Sequence, residues 1–198
     1  LWVALRSERP GLPWHFGVLD TDVINAFAAP GGYVFITRGM MRAMSSEAEL
    51  AGVLAHEVTH VVERHHLAAI QKVARAKLAA ELAATATTDS DVLAEALVGA
   101  GIGVFRSGLD KGDEFEADAR GIVLAARSGY DPFGLPSVLD ILASHPTDSA
   151  DFQWMVSTHP SASERITALG EAFDDRFDGL DPVRTVDTRF MRVRTRLK

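Results

Sequence analysis

A chain of 198 residues with 47% hydrophobic side chains can bury one sizeable core, and it reads as a single domain over residues 1–198. A net charge of −7, with both signs interspersed and no basic stripe before the Arg-rich end, excludes a nucleic-acid-binding face. The absence of cysteine excludes disulfides, thiolate metal sites and cysteine nucleophiles, so any metal has to be held by histidine and carboxylate.

Residues Leu1 to Arg9 fit either a strand or the end of a helix. A chain that begins at Leu1 without Met reads as a trimmed or mature fragment, from which any signal, lipid-attachment or membrane-associating N-terminal segment would be missing. Trp14 to Asp20 alternates bulky with polar or small residues, as a strand does. Val23 to Ala28 and Tyr33 to Thr37 are extended runs around the turn Ala29-Pro30-Gly31-Gly32, which predicts a hairpin. Met40 to Met44 reads as a short helical turn whose methionines fill core.

Ser46 with Glu49 three residues on forms a capping box, and it opens a helix that is apolar almost all round from Ala48 to Val62. Embedded in it is His56-Glu57-Val58-Thr59-His60. At about 3.6 residues per turn the two histidines stand one above the other, close enough to hold one Zn²⁺, while Glu57 points beside them where a general base is needed. The plainer alternative is a pair of buried histidines satisfied by backbone or carboxylates. Beyond His66 the helix continues or restarts over Ala69 to Ala84, and Thr85 to Ser90 breaks it. A further helix is predicted over Val92 to Val98, with glycines after it marking close packing or a loop. The apolar stretch Val92 to Phe105 is broken by Glu95 and by Gly99, Gly101 and Gly103, too short to span a bilayer.

Lys111 to Gly129 reads as a helix with acids in its first turn, Arg127 in its last and Gly129 at its C-cap. Glu114 and Asp118 share a face that Gly121 and Ala125 continue with small residues; a solvated acid run is the alternative. Phe133 to Ala143 is a short helix, and His145 to Ser149 a polar loop. Ser161 with Glu164 is a second capping box, which puts His159 just before a helix N-terminus. Phe173 to Leu180 is acidic and turn-like, and the Arg-rich tail over 184–198 reads as a solvated, peripheral end.

Four stretches in this order resemble the M48 family of zinc metallopeptidases: Asn25-Ala26-Phe27-Ala28 with Pro30-Gly31-Gly32; His56-Glu57-Val58-Thr59-His60 with Arg64-His65; Glu114-Phe115-Glu116-Ala117-Asp118; and Thr158-His159-Pro160 with Glu164-Arg165-Ile166. The resemblance implies an α+β, mostly helical zincin-type fold with a small β-sheet packed on the active-site helix. It also implies a Zn²⁺ cofactor held by His56, His60 and Glu114, with Glu57 as base and Asp118 orienting a ligand histidine. Glu116, the competing acid, lies about 200° around the helix from Glu114. His159 is implied either as an oxyanion donor or as an additional zinc ligand that shuts the site. Arg165 anchors the His159 loop or the site's carboxylates, or is purely structural. Substrate polypeptide is expected to add as a strand along Asn25, Ala26, Phe27 and Ala28. The implied setting is the periplasm or cell envelope, in quality control of unfolded or misassembled proteins. The competing reading is a chaperone-like or scaffold module whose zinc site is structural or latched by His159.

Overall fold

The computed structural model describes residues 2–85, 90–144, 159, 161–173 and 187–197. Three strands come first, β1 (His15–Leu19), β2 (Ala26–Ala29) and β3 (Tyr33–Thr37). The Pro30-Gly31-Gly32 turn joins β2 to β3 as the antiparallel hairpin, with Phe27 opposite Phe35. Both glycines have positive φ, and a Cβ on Gly32 would lie 2.5 Å from the Pro13 carbonyl oxygen, so only glycine fits there. β1 lies on the far side of β3 and runs parallel to it, which makes β2 a terminal strand of the order β1-β3-β2. The N-terminal residues form a short helix, α1 (Trp2–Leu5).

Helix α2 (Arg38–Ala43) is capped by the Thr37 side chain and buries Met40 and Met41 in the core, as expected of the methionine cluster. Helix α3 (Glu47–Glu63) begins where Ser46 Oγ accepts from the Glu49 amide. The capping box is offset by one residue: Glu49 reaches back to the amide and hydroxyl of Ser45 rather than to Ser46. The sheet packs on α3 through Ala28 and Val34, which join Ala51, Ala55 and Val58 in one apolar cluster. A second cluster, with Ala26, Ile36 and Met44, gathers Val53 of α3 with Leu135, Val138 and Leu139 of α7 (Gly134–Ser144). α3 is therefore buried on several sides, which is why its sequence shows so little polar face.

α3 stops at Arg64, whose φ of 63° is left-handed, and α4 (His65–Thr85) restarts at once in a new direction. α5 (Ser90–Ser107) is longer than the sequence suggested: it continues through Gly99, Gly101 and Gly103 instead of ending in a loop. Ala96, Ala100 and Val104 recur every fourth residue and are buried, and α5 packs against α4, which outweighs about 1 kcal/mol of helix propensity per glycine.

α6 (Lys111–Arg127) crosses α3, with Ser128 as its C-cap and Gly129 one residue beyond at φ 85°. At the crossing, a Cβ on Gly121 would lie 3.0 Å from the His56 backbone nitrogen, so the missing side chain lets the two helices meet at the motif itself. α8 (Ala162–Phe173) starts where Ser161 Oγ accepts from the Glu164 amide. The Arg-rich tail is only partly a solvated end. Residues Asp187–Arg194 form α9, Phe190 is buried in the core, and the Arg189 guanidinium pairs with Glu47 of α3, so a buried aromatic ring and an ion pair dock the helix. The expected break at 86–89, loop at 145–149 and acidic turn at 174–180 lie outside the described residues.

Candidate metal centre

α3 holds His56 and His60 at 3% and 1% exposure, with their Nε2 atoms 3.0 Å apart. One turn separates them, so a single helix face fixes both rings. α6 brings Glu114, fully buried, with Oε2 3.6 Å from His56 Nε2 and Oε1 3.5 Å from His60 Nε2. His159, just before α8, adds an imidazole whose Nδ1 lies 2.7 Å from Glu114 Oε2. One potential ligand atom from each of His56, His60, Glu114 and His159 falls within 4.8 Å of the others. Glu116 points elsewhere, 3.6 Å from His65.

The donor set fits a cation. Imidazole and carboxylate are the ligands expected of Zn²⁺ in a chain without cysteine. Glu114 Oε1 is buried with no hydrogen-bond partner among the described residues, which costs about 1–3 kcal/mol unless something positive takes it up. Burial, reinforced by the neighbouring imidazoles, pushes His60 well below the ordinary histidine range and so keeps a lone pair available. For Glu114 burial acts upward, but His159, His56 and Arg165 outweigh it and hold the carboxyl at about 2.

Asp118, at 1% exposure, sits behind His56, its Oδ1 2.8 Å from His56 Nδ1. Arg165 of α8 donates twice to it, from Nε at 2.7 Å and from Nη2 at 2.5 Å. Burial would raise the Asp118 carboxyl, and this guanidinium overrides it and holds the group ionised. Arg165 thus pairs with the carboxylate that stands behind His56.

Glu57 stands beside the cluster at 2% exposure, its Oε2 without a hydrogen-bond partner among the described residues. Burial raises its carboxyl above the ordinary range. It faces a cavity of about 270 Å³ lined by Asn25, Phe27, His66, Phe105, Glu114 and His159 among others. Asn25 Nδ2, also buried and unpartnered among the described residues, belongs to the same lining, while Asn25 Oδ1 accepts from the Ala26 amide. A larger cavity of about 350 Å³, lined by Trp2, Leu50, Tyr130 and Phe190 among others, contains no residue of the cluster.

Two residues join the site to which the sequence reading gave no role, His66 and His65, the latter quoted only as part of the second stretch. His66 lines the cavity beside Glu57, stacks on Phe105 at 5.2 Å, and is lowered to about 4 by burial and then by His159. His65 places Nδ1 2.9 Å from His60 Nδ1. Nothing in the local pattern signals these contacts, because they depend on the left-handed turn at Arg64.

The profile of Peptidase family M48 matches residues 2–172, which include every residue of this cluster. The chain belongs to peptidase family M48. Family membership marks it as a metallopeptidase and accords with the mostly helical fold and small sheet. It is 35% identical over 164 residues to the "Beta-barrel assembly-enhancing protease" of Yersinia pestis, covering 78% of this chain and 33% of that protein. It is 33% identical over 171 residues to the "Mitochondrial metalloendopeptidase OMA1" of Arabidopsis thaliana, covering 85% and 33%. The "Metalloprotease YcaL" of Escherichia coli strain K12 is 32% identical over 164 residues, 82% of this chain and 63% of that protein. The chain thus spans about a third of the first two relatives' length. Among the described residues no single helix is long and apolar enough to cross a membrane.

Proposed function

We propose that this chain is one zinc-dependent endopeptidase domain that hydrolyses peptide bonds of unfolded or misassembled proteins, with His56, His60 and Glu114 holding the metal. Zn²⁺ bound there supplies Lewis acidity, polarising the scissile carbonyl and acidifying water. The remaining work belongs to the chain's own side chains. Glu57 takes the proton of the attacking water on its carboxylate and later delivers it to the leaving amine, a task suited to a carboxyl raised above its ordinary range. Asp118 accepts from His56 Nδ1–H and so fixes that ring with Nε2 toward the cluster, and Arg165 holds Asp118 in place. Substrate lies as an added strand along β2, at Asn25, Ala26, Phe27 and Ala28, and the Asn25 Nδ2 donor is available to a substrate carbonyl.

The position of His159 within the ligand cluster supports the latch over the oxyanion donor. With His56, His60, Glu114 and His159 all holding the metal, no position would be left for water, so the His159 imidazole would have to withdraw for the reaction. The similarity to the bacterial β-barrel assembly-enhancing protease favours the cell envelope as the setting.

The observation that carries this reading is the convergence of His56, His60 and Glu114 beside a buried Glu57 that lines one cavity with Glu114 and whose Oε2 has no hydrogen-bond partner among the described residues. A scaffold with a structural metal would bear the cost of burying Glu57 without using it. The test is cleavage of reduced casein by the zinc-loaded chain. Cleavage that disappears in Glu57→Gln is expected; absence of cleavage from both the natural chain and His159→Ala would refute the endopeptidase.

A further inference from the structure

His56 and His60 both turn Nε2 toward the cluster and Nδ1 away from it. The two Nδ1 atoms find different partners. That of His56 meets Asp118, and that of His60 meets His65, which is 6% exposed. Behind His65, its Nε2 lies 3.6 Å from Glu116 Oε2, and Arg120 steadies this carboxylate from 3.5 Å.

An imidazole that offers Nε2 as a lone pair carries its proton on Nδ1. For His60 that N–H points at His65 Nδ1, 2.9 Å away, which must then be the acceptor. A neutral His65 accepting at Nδ1 carries its proton on Nε2, the nitrogen that faces Glu116. At 3.6 Å the carboxylate is beyond hydrogen-bond length, but its charge still favours the N–H nearest to it. The other tautomer of His65 would set two N–H groups against each other at 2.9 Å.

We infer that His65 is a positioning residue for His60, with Glu116 selecting the tautomer that lets it act. The inference rests on the reading of His60 as a metal-holding residue. It gives each of the paired histidines its own support, Arg165–Asp118 behind His56 and Glu116–His65 behind His60. In an unbroken helix a residue five positions after His60 would lie roughly 140° around the axis, out of reach. The left-handed Arg64 swings His65 back onto it, so this backbone exception has a chemical use.

Zinc affinity, measured on the full chain by competition with a chelating dye, tests the role. His65→Leu removes the acceptor and is expected to bind about 10- to 100-fold more weakly, whereas His65→Asn, whose Oδ1 can replace Nδ1 as acceptor, stays within about threefold of the natural chain. Glu116→Leu changes a half-exposed position that costs no core packing, and is expected to weaken binding about threefold to tenfold even where His65→Leu does not fold. Nitrogen-15 NMR of the zinc-loaded chain should find protons on His60 Nδ1 and His65 Nε2. The inference is overturned by a proton on His65 Nδ1, by equal weakening in His65→Asn and His65→Leu, or by Glu116→Leu binding as the natural chain does. A natural chain that takes up no zinc would instead overturn the metal reading on which the inference stands.

Discussion

Replacing His159 by alanine removes the 2.7 Å contact between its Nδ1 and Glu114 Oε2. The two groups shift each other oppositely. Burial acts to lower His159, but Glu114 overrides it and raises the imidazole, while His159 is the chief force holding Glu114 down. The contact is therefore a charge-assisted hydrogen bond, worth about 1.5–3 kcal/mol. If the imidazole is held in the zinc-loaded cluster at least as firmly as by that contact, the water-accessible state is populated at no more than about one part in ten to one part in a hundred. His159→Ala should then raise kcat/KM for reduced casein by about ten- to a hundredfold. Initial rates well below saturation measure this, with the double variant Glu57→Gln, His159→Ala as the control that should stay inactive. Unchanged or lower kcat/KM at full metal content would refute the latch, and a lower value would return His159 to the role of oxyanion donor.

Elemental analysis should show stoichiometric zinc in Glu57→Gln and loss of zinc in His56→Ala, His60→Ala and Glu114→Ala; full zinc in Glu114→Ala would sink the ligand assignment. Arg165→Met leaves the Asp118 carboxylate buried without its guanidinium, a loss of about 3–5 kcal/mol, seen calorimetrically as a melting point lower by about 6–20 °C. A shift under about 2 °C would show that Arg165 contributes little. The metal-free chain should also lose stability in acid. Glu114 titrates near 2 folded against an ordinary 4.5, so the unfolded chain binds more protons in that interval. The stabilisation is complete above about pH 4.5 and disappears as the pH falls toward 2, with Asp118, also depressed, adding to the loss. Urea midpoints that stay level between pH 6 and 3 would contradict this.

The sequence by itself determined the pieces that are local. His56, Glu57 and His60 lie within one helical turn, so helical periodicity already sets their relative directions. The Ser46 cap, the hairpin glycines and the shared face of Glu114 and Asp118 are legible for the same reason: each depends on residues a few positions apart. Tertiary structure decided what periodicity cannot reach. The parallel placement of β1, the run of α5 through its glycines and the docking of Phe190 all follow from burial against distant elements. So do the 45-residue separation bridged by His159 and Glu114 and the 47-residue separation bridged by Arg165 and Asp118. The contact of His65 with His60 is the instructive case, because only five residues separate them and the helical rule gives the wrong answer. One left-handed residue, Arg64, reverses it. Arginine has no intrinsic preference for that conformation, so packing of α3 and α4 around the site, and not local propensity, holds it there.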